Sequence, residues 1–154
     1  MNEPTRPAPL SRDEVAQLLA IAERDLGQAR IVELHLDTRY SLAYNAALQL
    51  ATVVLRLHGV RVRREGFHRS TFAELEPRLP DSVRSFADYF DRARRKRHAA
   101  GYERVGVVSE GDADDLIRQV ELFQAWVIEE VDRLRDRTKS TVPGRDVDSP
   151  AGSF

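Results

Sequence analysis

Four stretches of this chain place apolar residues at alternating steps of three and four, and each opens at a helix-capping signal. That pattern admits helices and leaves no convincing strand, because strands need alternation at a step of two. Ser11 and Glu14 form a capping box, with Leu10 and Val15 at the staple positions. Val15, Leu19, Ala22, Leu26 and Ala29 then make one stripe, predicting a helix to about Leu34. Asp37 is the expected N-cap of a second helix carrying Leu42, Ala43, Ala46, Ala47, Leu50, Val53, Val54 and Leu57. It is expected to end at His58, with Gly59 at C′. Residues 60–70 read as a basic connection, and Thr71 to Leu75 as a short helical turn before Pro77 and Pro80. Asp81 or Ser82 caps the next helix, whose seam is Val83, Phe86, Phe90, Ala93, Arg97 and Ala100. Gly101 and the loop 102–108 are expected to break it. Ser109 with Asp112 caps the last helix, which carries Leu116, Val120, Phe123, Val127, Val131 and Leu134, with Trp126 beside them. The expected fold is an all-α, antiparallel four-helix up-down bundle with one additional short helix. It occupies residues 11–137, between a Pro-containing flexible arm at 1–10 and a disordered tail at 138–154.

Composition removes several function classes. Cysteine is absent, which excludes disulfide scaffolds, thiolate metal sites and Cys nucleophiles. No apolar run reaches the ~18 residues of a membrane span, and the N-terminus lacks the apolar core of a signal peptide. A cytoplasmic protein without membrane contact is the expectation. Twenty-four basic residues face 25 acidic ones, for a net charge of −1, so the chain is no generic polycation. The charges are nevertheless segregated. Arg56, Arg61, Arg63, Arg64 and Arg69 surround a single acid, Glu65. Arg92, Arg94, Arg95, Lys96 and Arg97 form a basic run with no acid among them, and the last helix is strongly acidic. One reading is a solvated face with basic and acidic helices bridged to each other. The other is a phosphate-binding surface made by Arg61, Arg63, Arg64, Arg94, Arg95 and Lys96, with both basic segments meeting at one pole.

Few residues carry chemistry. The glycines are too dispersed for a phosphate loop. Glu65-Gly66-Phe67-His68 has the Glu-x-x-His spacing of di-iron bundles, but it is a single copy in a connection, so no metal and no cofactor is expected. Arg97 is the informative residue. It continues the seam of Phe86, Phe90 and Ala93, and a guanidinium on an apolar seam is costly without a partner. It either snorkels to water from the helix end or faces inward toward an anionic ligand.

The order of these elements resembles the HEPN domain, a small prokaryotic helical bundle. The resemblance runs from about Ser11 to Arg137. It rests on Tyr40-Ser41-x-x-Tyr44-Asn45-Ala46-Ala47, the Gly59 helix end, Gly66-Phe67-His68, and Arg97-His98-x-x-x-Tyr102 ahead of an Ala113-containing helix. The resemblance implies RNA-linked biology. Many members are metal-independent endoribonucleases, often toxins of toxin–antitoxin pairs or defence effectors. They act as homodimers whose motifs meet at the interface, or beside a minimal nucleotidyltransferase partner. Their motif is Arg, a polar residue, a spacer and His. Arg97 and His98 match its start, but positions 102 to 104 are Tyr102, Glu103 and Arg104, so the His is missing. Tyr, with a reference pKa ~10, is roughly 0.1% ionised at pH 7 and is a poor base for a 2′-OH. Arg97, His98 and Tyr102 are the candidate catalytic residues. The expectation is an RNA- or nucleotide-binding module without efficient ribonuclease activity. The alternatives are an active endoribonuclease and a plain helical interaction protein.

Overall fold

The computed structural model describes residues 11–62, 67–102 and 106–140, without the side chains at 67–70, 101, 102 and 138–140. It is all helical: α1 (Arg12–Ala29), α2 (Leu36–Leu57), α3 (Phe67–Leu75), α4 (Ser85–Tyr102) and α5 (Glu110–Ser140). Two short 3₁₀ turns, Glu76–Arg78 and Asp81–Val83, lead from α3 into α4. No helix among the described residues is long and apolar enough to cross a membrane. The expected arm at 1–10 lies outside the described residues, and α5 continues three residues past Arg137, where the tail was expected to begin.

The caps explain most boundaries. Ser11 Oγ accepts from the Glu14 amide at 3.0 Å and starts α1. Helix α1 ends five residues earlier than its stripe suggested. The buried Arg39 donates Nε to the Ala29 carbonyl at 2.8 Å, tying off the helix end. His35, not Asp37, caps α2: its Nδ1 accepts from the Asp37 amide at 3.2 Å. Asp37 falls in the first turn, where the helix dipole favours a carboxylate. Gly59 ends α2 as expected, at φ +75°. The Gly59 and Val60 amides donate to the Arg56 and Leu55 carbonyls at 3.0 and 2.8 Å, which is the Schellman arrangement. Ser109 and Asp112 form a full reciprocal box at the head of α5.

Helix α2 lies at the centre and packs against all four other helices. Its alanines 43, 46, 47 and 51 are fully buried and let neighbours approach closely. Around its upper half runs an aromatic chain of edge and offset contacts. Tyr44 meets Phe72, Phe72 meets Phe90, and Phe90 meets both Phe86 and Phe123, with centroids 5.3–6.0 Å apart. Phe72 and Leu75 bring α3 into this core, so α3 is a nine-residue packed helix rather than the single turn expected.

Helix directions follow from cross-contacts. Glu14 at the start of α1 meets Arg56 at the end of α2. Ser41 at the start of α2 meets Arg97 near the end of α4, and Lys96 meets Asp112 at the start of α5. Helices α2 and α5 therefore run together, opposite to α1 and α4.

Candidate functional site

One pole of the molecule gathers the start of α2, the C-terminal half of α4 and the first turns of α5. Arg39, Tyr40, Ser41 and Tyr44 come from α2. Tyr89, Asp91 and the basic run come from α4, and Asp112, Asp114 and Asp115 from α5. Burial raises the Tyr40 and Tyr89 phenols above the ordinary value, and pushes Tyr44 up to about 12. All three are protonated at neutral pH, so each carries a proton to donate and none is a base.

The basic run resolves residue by residue. Arg92 pairs with Asp88 at 3.2 Å and lies over the Tyr89 ring. Arg94 and Arg95 share Asp91, at 2.9 and 3.1 Å. Burial alone would raise the Asp91 carboxyl, but these two guanidiniums outweigh it and hold it below the usual range. Lys96 pairs with Asp112 at 2.9 Å. The Ser109 amide, and then Lys96, hold the Asp112 carboxyl low as well.

Arg97 is different: among the described residues it has no carboxylate partner. Its Nε donates to Ser41 Oγ at 3.4 Å, and its guanidinium lies 5.2 Å from the centroid of the Tyr44 ring. The side chain is half-buried. A ring face and a hydroxyl orient this cation without neutralising it. The guanidinium thus packs onto α2. His98 is exposed and projects ~100° round the helix from Arg97. Helix α4 continues through Gly101, so Tyr102 is a helical position rather than a loop residue. Its side chain lies outside the described residues.

The described part of the second basic segment, Arg56 and Arg61, does not join this pole. Arg56 and Arg61 both reach Glu14, at 3.1 and 3.8 Å, fifteen positions along α2 from Ser41 and so ~22 Å away. Arg56 and Arg61 do not converge with the α4 run, because α4 returns antiparallel to α2. The C-terminal ends of the two helices therefore point to opposite poles. Arg61 is thereby separated from Arg94, Arg95 and Lys96, while Arg63 and Arg64 lie outside the described residues. The sequence also gave no warning that Glu14 would leave its capping box. It forms a two-pronged pair with Arg56, whose side chain is only 4% exposed.

A pocket of about 210 Å³ opens at this pole, lined by Tyr40, Tyr89, Arg92, Ala93, Lys96, Asp112 and Asp115. Of these only Lys96 was expected as a site residue; Tyr40, Tyr89, Arg92, Ala93, Asp112 and Asp115 were not. Their signal was positional: Tyr89, Arg92, Ala93 and Lys96 share one helix face, as do Asp112 and Asp115.

A HEPN family model matches residues 32–128, more than half of the chain. The chain belongs to the HEPN family. No curated protein and no solved structure matches it. The match takes in the whole pole just described and leaves out α1. The HEPN region thus supplies Arg97, its Tyr44 and Ser41 shelf and the neighbouring pocket, while α1 covers α2 from the other side. Membership makes an RNA- or nucleotide-related role the coarse expectation for this site.

Proposed function

We propose that this chain is a HEPN-fold module that binds RNA or a nucleotide through Arg97 and does not cleave RNA efficiently. One observation carries the reading. Every other described cation of the α4 run has an acidic partner, and Arg97 alone rests on a ring and a hydroxyl. A half-buried guanidinium kept from carboxylates retains its full charge for an incoming anion, and phosphate matches its planar fork. The paired Arg94, Arg95 and Lys96 contribute a weaker, more screened field around it.

The chemistry argues for binding over turnover. Cleavage beside a ribose needs a base for the 2′-OH and a cation for the charged phosphorane. Arg97 supplies the cation. Positions 102 to 104, where the family pattern places His, hold Tyr102, Glu103 and Arg104, and the phenol under Arg97, Tyr44, is a weaker acid than free tyrosine. Loss of a general base typically costs ~10²–10⁴-fold in rate.

Fluorescence anisotropy on a labelled single-stranded RNA tests the proposal. Wild type is expected to bind with affinity that falls steeply with salt. Arg97→Ala is expected to weaken binding roughly ten-fold for all sequences and to reduce the salt slope by about one. No binding at low salt would favour a plain interaction protein.

A further inference from the structure

The Tyr40 hydroxyl has no hydrogen-bond partner among the described residues, although Tyr40 is only 6% exposed. It lines the pocket at the Arg97 pole, and so does the Tyr89 phenol, which likewise has no hydrogen bond among the described residues. Two phenols that face an open pocket with no protein acceptor among the described residues are free to donate to a docked ligand. We infer that the pocket is a nucleobase subsite for a base presenting an amino group beside a carbonyl, cytosine or guanine. This rests on the RNA- or nucleotide-binding reading and names which part of the ligand goes where.

Three observations favour a base over a second phosphate. The walls carry both kinds of hydrogen-bonding group. The Tyr40 and Tyr89 phenols, Arg92 and Lys96 donate, and the Asp112 and Asp115 carboxylates, already paired with Lys96 and Arg118, accept through their remaining lone pairs. A phosphate only accepts and would be repelled by the two aspartates, whereas an amino–carbonyl edge meets both. The volume, about 210 Å³, is below the ~300–1,000 Å³ of pockets for drug-sized ligands and suits one ring system. Placement agrees as well. On α2, Tyr40 lines the pocket and the next residue, Ser41, touches Arg97. On α4, Lys96 lines the pocket and the next residue is Arg97 itself. Sequence neighbours project ~100° apart on a helix, so pocket and cation lie on different faces of one pole that α2 and α4 build together. Ala93, the small residue of the lining, leaves the space open.

Nucleosides test this without any phosphate, so the result does not depend on Arg97. Cytidine and uridine differ at the amino group that the aspartates would accept. Each is titrated to about 10 mM into the ¹⁵N-labelled full chain. Cytidine is expected to shift the amides of Tyr40, Tyr89 and Asp115 and to bind roughly ten-fold more tightly than uridine, the discrimination typical of a good base-edge contact. Tyr40→Phe, which keeps the ring, and Asp115→Asn, which removes the charge, should each shrink that difference. Their amide spectra also show whether each variant is folded. The inference is overturned if neither nucleoside moves those amides, if both bind equally, or if the preference survives in both variants. Nucleoside binding without RNA binding would uphold the pocket and refute the Arg97 anchor; RNA binding without nucleoside preference would do the reverse.

Discussion

Arg97 shows how one residue's surroundings decide its role. A guanidinium stacked on a buried ring gains about 0.5–2 kcal/mol from that contact and still has donors to offer. Arg97→Lys keeps the charge but loses the planar stack and fork, so RNA affinity should fall nearly as far as in Arg97→Ala. Full affinity in the lysine variant would mean that charge alone suffices. Arg56 is the contrasting case. Its side chain is 4% exposed, it pairs with Glu14, and its Nη1 is buried without a partner. Removing one side of such a pair strands a buried charge, so Glu14→Ala should cost about 3 kcal/mol in urea unfolding. The double variant Glu14→Leu/Arg56→Met should cost less than Glu14→Ala alone. A larger loss in the double variant would contradict this account of the pair.

Helix ends carry most of the testable local energetics. Gly59 sits at φ +75°, so Gly59→Ala should lower stability by about 1 kcal/mol. Ser109→Ala should cost about 1 kcal/mol by opening the box at α5. The Asp91 and Asp112 carboxyls both have folded values below the ordinary 3.8. The folded state thus favours their ionised forms. Their contribution is complete above that value and is lost as pH falls through the lower folded values. Unfolding free energy should therefore drop between pH 5 and pH 2, with a shallower drop in Asp91→Asn or Asp112→Asn; an unchanged slope would remove these carboxyls from the account. Elements of this kind were legible in the sequence wherever signal and partner are neighbours in the chain, as at Ser11, Gly59 and Ser109. The end of α1 was not legible, because it is set by Arg39, ten residues on in a different helix. The packed α3 was not legible either, since a nine-residue helix gives too short a stripe to separate from a turn.

At the scale of the whole molecule, near-neutral charge conceals an arrangement that only topology reveals. Arg97 was legible as a seam residue, and its lack of a carboxylate was not, because the acids that neutralise its neighbours come from α4 itself and from α5. The separation of the two basic segments was equally hidden, since it depends on the direction in which α4 returns. The family expectation of a homodimer joined near Arg97–Tyr102 predicts a dimer in sedimentation at about 50 µM, and a monomer there would remove it. The central claim is that this HEPN chain holds RNA through Arg97 without cutting it. Incubating labelled single-stranded RNA in EDTA with wild type and with Arg97→Ala, and reading bound and cleaved fractions together, tests it most directly. The account predicts a bound, intact RNA with wild type and a largely unbound, intact RNA with Arg97→Ala. Robust cleavage by wild type that Arg97→Ala abolishes would contradict it and establish a ribonuclease instead.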